Sequence, residues 1–187
     1  MAKDVTCKFM LLFILDLWLN IVNMKLFLSS VNFNKPDKLL ELIGKRPEEI
    51  RCKVVANAMD LKRIERQIEL KKLVGDSFNK INISFEWFDL RDKNESEVKH
   101  NVENLDLLWF CGGNVYYLRH LLKSSGLDKL LTDSLKNTCV LGGESAGALI
   151  MGPTLKYLDL VDDPSLVQEV IYDGLAIIDF VPLPHWK

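Results

Sequence analysis

Short apolar segments alternate with amphipathic segments along most of this chain, and the two kinds predict different elements. Continuous apolar runs bounded by turn residues are typical of buried strands, whereas apolar residues three or four positions apart indicate helices. From residue 25 onward the pattern predicts successive strands. They are residues 25–30, 52–59, 81–90, 106–113, 138–143 and 175–181.

The segments between these strands predict helices. They are residues 36–44, 60–74, 95–105 and 115–126. Gly44 and Gly126 suit the C-terminal ends of two of them, because glycine adopts the left-handed conformation that often closes a helix. In the helix at 60–74, Asp60 is the predicted N-cap. Three apolar residues recur there at helical spacing: Leu61, Ile64 and Ile68.

This alternation predicts an α/β domain with three layers, in which a mostly parallel sheet is covered by helices on both faces. In such sheets, ligands bind beyond the carboxyl ends of the strands. Two glycine-rich turns, at residues 112–113 and 142–147, follow predicted strands. We therefore expect the two turns to meet in one site.

Composition narrows the class of protein. The 187 residues suit one domain, and 48% of them are hydrophobic, which is enough for a core. The 24 basic and 26 acidic residues are spread along the chain, so nucleic acid is a poor candidate partner. The cysteines are far apart and predict neither a disulfide framework nor a metal site, which favours a reducing cytoplasm. No cofactor is expected, because CGGN (111–114) lacks the G-x-G-x-x-G spacing of a nucleotide-binding turn. The four cysteines are Cys7, Cys52, Cys111 and Cys139.

The N-terminal residues differ from the rest. An apolar stretch at residues 8–22 is interrupted by Asp16 and Asn20, so it is short for a membrane helix of about 20 apolar residues. Met24 opens the first predicted strand. We therefore expect residues 1–23 to be an extension outside the conserved domain, residues 24–187 to be a single α/β domain, and no stable membrane association. A signal anchor is the weaker alternative.

Residues 143–147, Gly-Glu-Ser-Ala-Gly, fit the G-x-S-x-G pattern of a nucleophile elbow. A serine on a tight turn between strand and helix needs small neighbours two positions away, because the two elements approach closely there. The pattern makes Ser145 a candidate nucleophile, and the backbone N–H of Ala146 a candidate donor to an oxyanion. The structural alternative is a small residue where a strand packs against a helix.

A serine nucleophile needs a base, and the chain has three histidines. His100 and His120 lie in predicted helices and are expected to be structural or surface groups. His185 follows an apolar strand and comes directly after Pro182 and Pro184 in a stiff loop, from which it can reach a neighbouring strand's elbow. The alternative for His185 is a loop histidine stacked on Trp186.

Together these motifs resemble the peptidase E family of serine peptidases, the S51 group, which includes aspartyl dipeptidases and cyanophycinases. The resemblance rests on four short motifs: GGN (112–114), GESAGA (143–148), Pro153-Thr154 and PH (184–185). It implies a flavodoxin-like or glutamine-amidotransferase-like fold. Members of the family continue beyond the P-H loop, so the resemblance also implies that a C-terminal segment is lacking after Lys187.

The resemblance assigns roles residue by residue. It implies a Ser145 nucleophile, a His185 base and an oxyanion hole formed by the backbone amides of Gly113 and Ala146. The family's acidic residue has three candidates here, of which Asp162 is the best match; the others are Asp159 and Asp163. Residues expected to contact the substrate are Gly112, Asn114 and Glu144.

The resulting hypothesis is a serine exopeptidase that hydrolyses short peptides, with a preference for N-terminal aspartate implied by the resemblance, as a monomer or homodimer. Candidate ligands for a substrate carboxylate, by charge alone, are Arg119, Lys123 and Lys156. Related folds fit less well, since α/β-hydrolases usually place more than 40 positions between serine and histidine and glutamine amidotransferases use cysteine. The alternative function is a catalytically inactive binding or scaffold protein.

Overall fold

The computed structural model describes residues 8–11, 17–21, 24–133 and 139–185. The strands are β1 (Lys8–Leu11), β2 (Leu17–Ile21), β3 (Met24–Ser29), β4 (Cys52–Val55), β5 (Phe85–Trp87), β6 (Leu107–Phe110), β7 (Val140–Glu144) and β8 (Phe180–Leu183). The helices are α1 (Pro36–Ile43), α2 (Ile64–Lys80), α3 (Glu95–Val102), α4 (Val115–Ser125), α5 (Leu127–Asp133) and α6 (Ala146–Leu149).

The main sheet has the strand order β2-β3-β7-β6-β4-β5. All pairs from β3 to β5 are parallel, and only β2 runs antiparallel to its neighbour β3. The last strand, β8, forms a separate parallel pair with β1. Because β6 and β7 are parallel neighbours, with Phe110 opposite Gly143, the turns that follow them emerge side by side.

The sheet is buried on both faces. Successive strand side chains point to opposite faces, so Leu26 and Leu28 enter one core and Phe27 enters the other. Buried residues of α1 and α2 pack on the Phe27 face, and those of α3, α4, α5 and α6 pack on the opposite face. The predicted three-layer α/β architecture is confirmed.

Glycine makes room for the largest buried side chain of the sheet. Trp109 of β6 lies opposite Gly142 of β7, and a Cβ on Gly142 would fall 2.3 Å from the indole ring. Phe27, Phe33 and Phe78 surround the same indole with ring centroids 5.4–6.1 Å away. This packing holds β6 and β7 in the register that brings their ends together.

The structure differs from the sequence prediction at the helix expected over 60–74. A 3-10 turn occupies Asn57–Met59, and α2 starts only at Ile64 and continues to Lys80. The three apolar residues that recur at helical spacing are exposed: Leu61, Ile64 and Ile68. Val74 and Phe78 are buried instead, because the helix turns its second half toward the sheet.

Several predicted strands are also shorter than expected: segment 52–59 contributes only β4, and segment 106–113 only β6. The segment 81–90 contributes only β5, and the last strand is shifted from 175–181 to Phe180–Leu183. Residues before β8 bond to the turn after α6, where Leu175 N–H donates to Ile150 O and Ile177 N–H donates to Met151 O, each at 2.9 Å. This local pairing takes the backbone groups that a sheet strand would have used.

The N-terminal residues take part in both sheets through β1 and β2. The division into an extension (1–23) and a domain (24–187) stays a prediction. Among the described residues, no helix combines the length and apolar character needed to cross a membrane.

Candidate active site

The turn after β7 holds Ser145 in a strained conformation. Its φ of 51° and ψ of −114° are unusual for any residue other than glycine. The Ser145 N–H donates to Ser29 O at 3.2 Å, and the Ser145 carbonyl accepts the N–H groups of Ala148 and Leu149 at 2.9 Å. These bonds join the end of β3, the elbow and the first turn of α6 around the serine.

The glycines on either side of Ser145 are required by backbone contacts. A Cβ on Gly143 would lie 2.3 Å from Gly147 O, and a Cβ on Gly147 would lie 2.0 Å from Phe110 O. Both distances are impossible for real atoms, so no side chain fits at either position without movement of the backbone. The G-x-S-x-G spacing therefore has the structural cause expected from the sequence.

His185 reaches the serine from the loop that follows β8. Its Nε2 lies 2.9 Å from Ser145 Oγ, within hydrogen-bond distance. His185 itself has a φ of 61° and an exposed side chain. Within the described part of the chain, Ser145 is the hydrogen-bond partner of this imidazole, and no carboxylate forms an ion pair with it.

The second glycine turn lies against the elbow. A Cβ on Gly112 would come within 3.0 Å of Ser145 Cβ. Gly113 has a φ of 147°, and a Cβ there would fall 2.0 Å from Ala58 O. In the described residues, the backbone N–H groups of Gly113 and Ala146 donate to no protein acceptor, so both are available to a ligand oxygen.

Glu144 is a buried carboxyl group in the wall of the site. It accepts hydrogen bonds from the backbone N–H of Asn32 and the backbone N–H of Gly112. Burial raises the pKa of Glu144, and these two bonds act in the opposite direction. Glu144 thus connects the turn after β3 and the turn after β6 to the elbow.

Asp162, the preferred acidic member, lies elsewhere in the site. Its carboxylate accepts the backbone N–H of Val115 at 2.9 Å, at the first residue of α4, and no hydrogen bond joins it to His185 among the described residues. Burial raises the pKa of Asp162. The other two candidates are exposed; Asp163 caps a short turn by accepting Ser165 N–H, and Asp159 does not border the cavity.

Other predicted site residues have structural contacts. Asn114 caps α4 by accepting Tyr117 N–H at 2.9 Å, and its amide donates to Asp163 O, so its side chain is used in holding two segments together. Arg119 pairs with Asp128, and Lys123 with Glu169. Neither these residues nor Lys156, His100 and His120 border the cavity beside Ser145.

A cavity of about 730 Å³ opens in front of the serine. It is bordered by Gly112, Gly113, Glu144, Ser145, Asp162 and His185, so the two glycine turns and the histidine loop do meet in one site. Sequence reasoning missed two residues that border the same cavity: Lys62, two positions before α2, and Arg66, in its first turn. The sequence did not show that α2 starts at Ile64. In a helix beginning at Asp60, these two side chains would point in other directions.

Comparison with known proteins identifies the family. The model of peptidase family S51 matches residues 62–187, which is more than half of the chain. An uncharacterized peptidase of Listeria innocua is 31% identical over 100 residues, covering 53% of this chain and 48% of the relative. One from Listeria monocytogenes is 31% identical over 108 residues, covering 57% and 53%. The chain thus spans about half the length of these curated relatives.

A solved structure agrees with the fold. The crystal structure of a candidate peptidase E from Listeria monocytogenes superposes with a TM-score of 0.75 at 25% identity, over 86% of this chain and 78% of the other. The parallel five-stranded core and its covering helices are therefore those of a solved structural neighbour. By the family match and the shared fold, this chain belongs to peptidase family S51.

Proposed function

We propose that this chain is a serine peptidase that hydrolyses short peptides through a covalent acyl-enzyme. The observation that carries the proposal is the 2.9 Å contact between His185 Nε2 and Ser145 Oγ, made by a serine in a strained elbow. Membership of a peptidase family supports the hydrolysis of a peptide bond. The geometry of the site supports the residue roles proposed below.

In the proposed reaction, His185 Nε2 removes the hydroxyl proton as Ser145 Oγ attacks the carbonyl carbon of the scissile bond. The backbone N–H groups of Gly113 and Ala146 donate to the oxyanion that forms. The protonated imidazole then gives its proton to the leaving amine, and the acyl-enzyme remains. Water, activated by the same imidazole, releases the acid product and regenerates the serine.

The site works in this proposal as a Ser145–His185 dyad. Asp162 faces the same cavity, but its carboxylate is occupied by the Val115 N–H. In a dyad no carboxylate orients the His185 imidazole. We propose that the positive φ of His185 and the preceding Pro184 fix its orientation instead. The proposed substrates are short peptides with N-terminal aspartate, a preference that the family resemblance implies.

Cysteine chemistry supports a cytoplasmic location for this peptidase. Cys52, Cys111 and Cys139 are buried, and burial raises the pKa of each thiol. Thiols of this kind persist in a reducing compartment.

Hydrolysis of dipeptides by wild type and Ser145→Ala tests the proposal. We expect wild type to release free amino acids from a panel of Asp-Xaa and Ala-Xaa dipeptides, and the variant to lose at least about 10⁴-fold in kcat. Thermal unfolding of both proteins controls for folding. Equal activity in the Ser145→Ala variant would refute the nucleophile, and no activity in folded wild type would favour the scaffold alternative.

A further inference from the structure

The cavity beside Ser145 has an unusually apolar wall for a site on the surface. One side is formed by α2 and the other by the segment that follows Thr154. Six large side chains contribute: Leu70, Leu73, Val74, Tyr157, Leu160 and Val161. Leu160 is 90% exposed, Tyr157 75% and Val161 70%, so this apolar surface faces solvent. Such surface grouped around a cavity indicates an apolar ligand.

Two basic side chains border the same cavity. Lys62 precedes α2, Arg66 lies in its first turn, and both border the cavity. Arg66 is paired with Glu69 at 2.6 Å. Among the residues that the structure describes, Lys62 forms no ion pair. Its ammonium group is therefore available to a carboxylate of the ligand.

The acidic groups of the cavity do not compete for this ammonium at contact distance. Glu144 is held in the wall by the N–H groups of Asn32 and Gly112. Asp162 accepts the N–H of Val115; burial raises the pKa of this carboxyl, and the positive charge of Lys62 acts in the opposite direction. Both carboxyl groups accept backbone N–H groups, whereas the Lys62 ammonium has no hydrogen-bond or ion-pair partner among the described residues. The charge pattern is complementary to a ligand with one negative end.

We propose that the substrates are dipeptides whose C-terminal residue is apolar, with its side chain against this wall and its free α-carboxylate at Lys62. The inference rests on the proposed peptidase function and adds the chemistry of the leaving side of the substrate. It makes Lys62 and Leu73 specificity-determining residues. It leaves the N-terminal residue of the dipeptide free to be aspartate or another amino acid.

Kinetics with three matched dipeptides test the proposal: Asp-Leu, Asp-Leu amide and Asp-Ser. We expect the amide to raise KM about fivefold, because one exposed ion pair is lost. We expect Asp-Ser to lower kcat/KM about tenfold, because an apolar contact is lost. Equal values for Asp-Leu and its amide in wild type would overturn the carboxylate site, and equal values for Asp-Leu and Asp-Ser would overturn the apolar one.

Variants of Lys62 and Leu73, each compared with a control variant on α2, show which residue determines each preference. Lys62→Met is expected to abolish the difference between acid and amide, with little change in kcat, while Lys72→Met keeps it. Leu73→Ser is expected to abolish the preference for Leu over Ser, while Ile68→Ser keeps it. Lys72 and Ile68 are exposed on α2 and do not border the cavity. A Lys62→Met protein that still discriminates acid from amide would contradict the assignment.

Binding to the Ser145→Ala variant separates this inference from the proposed function. If wild type hydrolyses nothing but the variant binds Asp-Leu at least about fivefold tighter than the amide by calorimetry, the peptidase proposal fails and the ligand site stands. If wild type hydrolyses Asp-Leu amide or Asp-Ser as well as Asp-Leu, the peptidase proposal stands and the ligand site fails. Absence of any binding to the folded variant overturns the ligand site.

Discussion

The two ends of the parallel sheet use polar groups in opposite ways. At the carboxyl end, Ser145 and His185 both have positive φ angles, and the N–H groups of Gly113 and Ala146 donate to no acceptor among the described residues. At the amino end, Asp106 accepts Lys45 Nζ at 2.8 Å and the backbone N–H of Arg51 at 3.0 Å. The carboxyl end thus has strained backbone and N–H groups without an acceptor among the described residues, whereas the buried carboxylate at the amino end is fully hydrogen-bonded.

In the proposed function, the polar groups at the carboxyl end take part in catalysis, and those at the amino end stabilise the fold. Burial acts to raise the pKa of Asp106, but hydrogen bonds from Arg51 and Lys45 outweigh it and leave the pKa well below its usual range. Substitutions at the carboxyl end should therefore change activity most, and substitutions at the amino end should change stability most.

The largest effect on kcat in this comparison is expected from Gly113→Ala at the carboxyl end. An added Cβ would meet Ala58 O at 2.0 Å, so the turn must move and take the Gly113 N–H with it. Loss of one oxyanion donor typically lowers kcat by about 10²–10³. Steady-state kinetics of the variant measure this loss.

Gly126→Ala is the matched control, because Gly126 also has a positive φ but closes α4 away from the cavity. It should lower the free energy of unfolding by about 1 kcal/mol, because alanine is strained in the left-handed conformation, and leave kcat unchanged. If the two variants lose activity equally, general loosening of the fold explains the effect and the oxyanion role of Gly113 is wrong.

Asp106→Asn tests the amino end. We expect it to lower the free energy of unfolding by about 2 kcal/mol at pH 7, because charged hydrogen bonds to Arg51 and Lys45 are lost. The folded pKa of Asp106 lies below the unfolded one, so its contribution is present above about pH 4 and disappears as the pH falls through the folded value.

Urea unfolding at pH 7 and pH 3 measures this difference. The gap between wild type and Asp106→Asn should shrink at pH 3, while kcat at pH 7 stays near the wild-type value. A gap that is the same at both pH values would show that the ionised carboxylate is not what stabilises this end of the sheet.

The smallest effect is expected from Asp162→Asn. An amide oxygen can still accept the Val115 N–H, and no hydrogen bond joins Asp162 to His185 in the described residues. We expect kcat to change by less than about tenfold, whereas loss of a carboxylate that orients a catalytic histidine lowers kcat by about 10⁴. A loss near that larger value would restore Asp162 as the third catalytic residue.

The elbow was predictable from the sequence because its requirements are local. Gly143 and Gly147 must lack side chains for β7 and α6 to approach, and this leaves a five-residue pattern in the sequence. The strand pattern likewise predicts the parallel core, because buried strands read as continuous apolar runs.

Other parts of the site depend on contacts between distant residues and were not predictable. Asn114 and Asp162 have side chains suited to a site, but in the fold they bond Tyr117 N–H and Val115 N–H at the start of α4. Lys62 enters the cavity because a 3-10 turn delays the start of α2, and helical spacing in that segment gave no sign of it.

Covalent labelling by a fluorophosphonate, located by peptide mass spectrometry, tests the Ser145–His185 contact most directly. Wild type should be labelled stoichiometrically at Ser145, and His185→Ala should be labelled at least about 100-fold more slowly, since the base that removes the serine proton is gone. His100→Ala, which changes an exposed histidine away from the cavity, should react like wild type. A folded wild-type protein that is not labelled, or a His185→Ala protein that is labelled at the wild-type rate, would contradict the proposed nucleophile and base.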